Sequence, residues 1–131
     1  MHTYVVRTDI SSIMISMNKI STLYHYVLKN VRVVDGDTLE ADIDLGFGVA
    51  LTAIKIRLAK IDCPEMSTEA GVTAKGFTEN WVNSKVNTVQ IVVSVKNHKK
   101  DKYGRILGSV SADGEDLAEM LMNAGHAMGY M

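Results

Sequence analysis

The 131 residues carry 14 basic and 15 acidic side chains, are 47% hydrophobic and 22% charged, and include a single proline. That profile belongs to one folded domain with one core, and it excludes a disordered chain or a domain whose overall charge advertises nucleic-acid binding. The lone cysteine, Cys63, excludes an internal disulfide framework and leans towards a reducing setting.

No apolar run reaches the roughly 20 residues that cross a bilayer, so no membrane association is expected. Residues 1–23 read as an amino-terminal extension of open role and residues 24–131 as the domain. The apolar patch from Ile10 to Met17 follows Asp9 and precedes no cleavage site, a poor signal peptide that leaves an intracellular setting as the expectation. Met17 is a second candidate start.

From Tyr24 to Val34 the chain is rich in Val, Tyr and Leu, and Asp35-Gly36-Asp37 then interrupts it, which predicts a strand and a tight turn. Leu39 to Leu45 alternates apolar and acidic residues with period two, a strand with one buried face, ended by Gly46-Phe47-Gly48. Ala50 to Ile61 alternates again, with Ile54, Ile56 and Leu58 on one side and Lys55 and Arg57 on the other. Pro64 stops this strand and holds Asp62 to Glu65 as a corner. Thr68 to Lys85 predicts an amphipathic helix burying Val72, Phe77, Trp81 and Val82. Val89–Val95 and Ile106–Ser111 supply two further strands, the second closed by Asp113-Gly114. Glu115 to Ala124 predicts a second helix, with Leu117, Met120, Leu121 and Ala124 in step and Gly125 as its stop. The order suits an α+β, mainly β fold, a five-stranded Greek-key barrel of OB type with two packed helices.

Three clusters could carry chemistry. Asp35-Gly36-Asp37-Thr38 offers an outward carboxylate at a sharp turn, although Asp-Gly pairs are common in plain hairpins. Arg57 together with Asp62-Cys63-Pro64-Glu65 sets a guanidinium beside two carboxylates, which could equally be surface ion pairs of about 0–1 kcal/mol. Asp101-Lys102-Tyr103-Gly104-Arg105 lies in the most basic stretch, with Lys96, Lys99 and Lys100, and reads either as a solvated loop or as a site for a phosphate backbone and a stacked base.

Taken in order, Val34-Asp35-Gly36-Asp37-Thr38, Ile56-Arg57-Leu58 with Asp62-Cys63-Pro64-Glu65, Asp101 to Arg105, and Ala112-Asp113-Gly114 resemble the staphylococcal nuclease family from about Tyr24 to Tyr130. The resemblance implies a calcium-dependent endonuclease that hydrolyses phosphodiester bonds of DNA, with RNA as a second candidate, and leaves 3′-phosphate ends. It implies Asp37, Asp62 and the backbone carbonyl of Cys63 as Ca2+ ligands, which suits a cation that prefers hard oxygens. Arg57 and Arg105 then bracket the scissile phosphate, and Glu65 orients or deprotonates the attacking water. Lys102 and Tyr103 resemble the terminal-phosphate and nucleotide contacts, and Tyr130 a base-facing aromatic. The alternative is a non-catalytic nucleic-acid-binding module on the same barrel.

The chain departs from the family in three places. Cys63 stands where threonine is common, placing an oxidisable thiol beside a ligand that is a backbone atom. The staphylococcal enzyme continues into a third helix, so the barrel surface here needs another cover; the extension or a homodimer would supply it. The segment after Glu65 is short and lacks that enzyme's lysines, which predicts binding that weakens steeply with salt.

Overall fold

A computed structural model describes residues 24–98 and 100–130. The readings placed on residues 1–23, Lys99 and Met131 lie outside it.

Strands β1 (Tyr24–Asp35), β2 (Thr38–Gly46) and β3 (Val49–Leu58) form an antiparallel meander. A two-residue strand β4 (Ile61–Asp62) leads to helix α1 (Glu69–Lys85). Strand β5 (Ile91–Val95) pairs with β1, and β6 (Ile106–Ala112) pairs antiparallel with β5 and parallel with β3, so five strands close on themselves. The short β7 (Glu115–Asp116), helix α2 (Leu117–Asn123) and β8 (Met128–Gly129) follow, with β8 returning to pair with β4. This is the expected OB-type barrel with two helices. Closure leaves the barrel no long unpaired edge.

Alternation fills the interior. Leu39, Ile56, Leu58, Val93 and Val110 are fully enclosed, joined by Ile61 from the corner and Leu117 and Leu121 from α2. Truncating one of these to alanine costs about 2–5 kcal/mol. Among the described residues, no helix is long and apolar enough to cross a membrane.

Two elements differ from the sequence reading. The third strand ends at Leu58 rather than Ile61, because Ala59 and Lys60 make a turn with Lys60 at φ +69°, and pairing resumes only in β4. On α1, Val72 is exposed; the helix instead buries Gly71, Ala74, Thr78, Trp81 and Val82. Small residues let α1 lie close to the turn between β1 and β2. A Cβ on Gly36 would sit 3.0 Å from the Ala74 Cβ and 2.9 Å from the Cys63 Sγ, and the buried Thr78 hydroxyl donates to the Gly36 carbonyl at 2.8 Å. Gly36 is therefore where the Asp-Gly-Asp turn, the proline corner and the helix meet.

Candidate active site

The corner is organised by one guanidinium. Arg57 Nη1 donates to the carbonyls of Leu58 (2.7 Å) and Ile61 (2.9 Å), pinning the turn that separates β3 from β4. Its Nη2 lies 3.3 Å from Asp37 Oδ2 and 3.0 Å from Asp62 Oδ1. Arginine suits this post because its planar fork serves several oxygens at once and never loses its charge. The same Asp37 oxygen accepts the Cys63 backbone N–H at 2.9 Å, which holds the proline corner against the turn. Asp37 is buried and Asp62 is exposed. A buried carboxylate requires such partners.

Asp35 was read only as a turn residue, yet its carboxyl pKa is raised, first by desolvation and then by the hydrogen bond and charge of neighbouring Asp37. Two acids crowded in this way favour a proton or a cation between them. The signal in the sequence was the doubled aspartate itself. Burial and the Asp37 charge push the Cys63 thiol up to about 12, the Arg57 charge opposing them. Its Sγ lies against Gly36. This favours the protonated thiol over the thiolate, which is the reactive form.

Glu65 is exposed and its side chain makes no hydrogen bond or ion pair with the described residues. Its backbone is fixed: the carbonyl accepts the Thr68 hydroxyl (2.6 Å) and amide (3.0 Å), while Thr68 caps α1 by accepting from the Gly71 amide. A Cβ on Gly71 would fall 1.9 Å from the Glu65 oxygen, so only glycine fits beneath this loop.

Arg105 belongs to a separate unit. Asp101 Oδ1 accepts the backbone amides of Tyr103 (2.9 Å) and Arg105 (2.8 Å), and its Oδ2 accepts Arg105 Nε at 2.9 Å. For Asp101, desolvation is the largest single influence and would raise the pKa, but the amides and guanidinium of this turn together lower it. Tyr103, largely exposed, lies under both the Arg105 guanidinium (5.0 Å) and the Lys102 ammonium (5.1 Å). Asp101, to which the sequence assigns no role of its own, holds this turn together; an acid four residues before an arginine across a glycine is the available clue. The parallel β3–β6 seam pairs Ile56 with Ile106 and Arg57 with Leu107, so Arg57 lies on β3 and Arg105 on the turn that immediately precedes the neighbouring β6. No direct contact joins Arg105 to Asp37, Asp62 or Glu65. Tyr130, half exposed, is tied by its amide to the Lys60 carbonyl at 2.9 Å.

Among the described residues, no group of three or more His, Cys, Asp or Glu side chains converges as a metal cage. Asp37 and Asp62 with the Cys63 carbonyl are nevertheless all hard oxygen donors, and both carboxylates meet at the Arg57 guanidinium. The set fits a divalent ion that keeps several waters.

The closed OB-type barrel thus gathers acids around Arg57 at its proline corner, with Arg105 on the turn before the adjacent strand. A sequence profile of the staphylococcal nuclease homologue family matches residues 55–131, more than half of the chain, and the protein belongs to that family. Among similar proteins, an Escherichia coli protein named as an uncharacterized endonuclease is 37% identical over 101 residues, covering 76% of this chain and 58% of its own length. A counterpart in Escherichia coli O157:H7 is 36% identical with the same coverage. An uncharacterized protein of Methanocaldococcus jannaschii is 30% identical, covering 86% of this chain and 63% of its own. The chain thus spans little more than half the length of these Escherichia coli relatives.

Proposed function

We propose that residues 24–131 form a calcium-dependent endonuclease domain that hydrolyses phosphodiester bonds of DNA and RNA and leaves 3′-phosphate ends. The observation that carries this reading is the Asp37–Arg57–Asp62 cluster at the proline corner, with the second arginine across the β3–β6 seam. Family membership and relatives named as endonucleases support it.

Asp37, Asp62 and the Cys63 carbonyl would hold Ca2+, which when bound supplies Lewis acidity and favours hydroxide over water. The protein's own residues do the rest. Arg57 and Arg105 neutralise charge that builds on the phosphoryl oxygens as the nucleophile attacks. Glu65, free of side-chain partners and fixed through its carbonyl, orients the attacking water or takes its proton. Lys102 contacts a terminal phosphate, while Tyr103 and Tyr130 stack on the neighbouring bases. A site centred on phosphate reads no base sequence, so cleavage without sequence preference is expected.

The test is digestion of 5′-labelled single-stranded DNA and RNA in Ca2+, with the products treated by a 3′-phosphatase. A mobility shift on treatment is expected with both polymers. Products already ending in 3′-hydroxyls would contradict the proposed bond.

A further inference from the structure

Beside Arg105, a groove of about 580 Å3 runs over the outside of β5 and β6 and is lined by Lys60, Lys96, Lys100, Ser94, Ser109 and Tyr130. Its volume lies within the ~300–1,000 Å3 of ordinary ligand clefts. Its floor is low because the side chains that β5 and β6 turn towards it include the serines Ser94 and Ser109. The rim is held in place by the backbone: Tyr130 N–H donates to the Lys60 carbonyl, and β8 pairs with β4 beside it. Lys60 is thereby fixed in a left-handed conformation that places it next to Tyr130.

The charge of this groove is not balanced from within. Lys60, Lys96 and Lys100 are exposed, and no carboxylate among the described residues pairs with any of them. Asp101 also lines the groove, but both its oxygens are occupied by the Arg105 and Tyr103 amides and the Arg105 guanidinium. In a chain of net charge −1, three unpaired ammonium groups along one cleft are a local excess that a polyanion would match. Asp101, which holds the Arg105 guanidinium, and Leu107, two residues beyond Arg105, both line the groove, so it adjoins the Arg105 turn.

We propose that this groove is a second binding track, along which a single-stranded polynucleotide leaves the site with successive phosphates on Lys60, Lys96 and Lys100. The proposal rests on the nuclease reading for the occupant's identity. It extends that reading by making affinity depend on strand length, and it supplies the phosphate contacts that the lysine-poor segment after Glu65 does not.

The test reads binding without turnover. The full chain is titrated in chelator against fluorescent single-stranded DNA and RNA of four and twelve nucleotides over a range of salt. The comparison variant is Lys60→Asn/Lys96→Gln/Lys100→Gln, with asparagine chosen because it tolerates positive φ. Each phosphate contact on a single strand contributes about 0.7 to the log–log salt slope, so the triple variant loses roughly 2 from the twelve-nucleotide slope and little from the tetranucleotide slope. A control with the same charge change, Lys29→Gln/Arg32→Gln/Lys75→Gln, keeps the wild-type slope, and matched melting temperatures establish that all three proteins fold. An unchanged slope in the groove variant, or an equal loss in the control, overturns the proposal. Tighter wild-type binding to an oligoglutamate of equal charge than to either nucleic acid overturns it in favour of an acidic protein segment. If the slopes behave as expected but no bond is cut when Ca2+ is restored, the nuclease reading alone fails.

Discussion

The two arginines of the site are held in opposite ways. Arg57 is nearly enclosed, its side chain 12% exposed, and its guanidinium is engaged by two carbonyls and two carboxylates that also close the corner. Arg105 hangs from a surface turn by one acid four residues away. Arg57 is therefore built into the structure of the corner, whereas Arg105 is tied only to its own turn. In the proposed site, the half around Arg57 is rigid and would set the metal ligands, and the half around Arg105 is adjustable and would follow the phosphate.

The sharpest break of that contrast comes from Arg57→Ala. It leaves the buried Asp37 carboxylate without its counter-charge, so stability falls by about 3 kcal/mol in urea unfolding, and activity is lost with it. Arg105→Ala removes one donor to the developing charge, so turnover falls by about 100-fold or more, while stability changes by less than about 1 kcal/mol because the ion pair is near the surface. If both variants lost stability equally, the division into halves would be wrong. Gly71→Ala sharpens the rigid half: its Cβ cannot coexist with the Glu65 carbonyl, so a cost of about 1–3 kcal/mol and a displaced Glu65 are expected, read by denaturation and by turnover.

Smaller effects follow from protons. The lowered pKa of Asp101 means that its hold on the hairpin is fully present above its ordinary value of 3.8 and is lost only as pH falls through the depressed folded value. The Arg105 Nε–H resonance should therefore stay protected from exchange at pH 4 and lose protection on further acidification. The smallest change concerns Cys63. With its thiol pushed up to about 12, iodoacetamide at pH 8 without divalent ions should modify the native protein at least about ten-fold more slowly than the unfolded chain.

Most of the rigid half was legible in the sequence because its signals are local. The doubled aspartate around Gly36, the alternation through Arg57 and the lone proline each announce their geometry within a few residues. Legibility stopped where contacts are distant or made by small groups. The β3–β6 seam that sets Arg57 beside the strand Arg105 leads into joins segments far apart in the chain, and period-two patterning says nothing about which strands meet. Val72 was misplaced because α1 approaches the turn through Gly71, Ala74 and Thr78, which hydrophobic periodicity weighs little. The turn at Ala59-Lys60 carries neither glycine nor proline, so only the carbonyls gripped by Arg57 reveal why the strand breaks there. The family match begins at residue 55, so Asp35 and Asp37 join the site through the fold rather than through that match.

The most direct test of the account is cleavage of a labelled single-stranded oligonucleotide by the wild-type chain and by Glu65→Gln, each in Ca2+ and again with chelator. The account predicts cleavage by the wild type that stops on chelation, and at least a 100-fold slower reaction for Glu65→Gln with binding retained. Cleavage that survives the chelator, or binding by the wild type with no cleavage under any divalent ion, would contradict it.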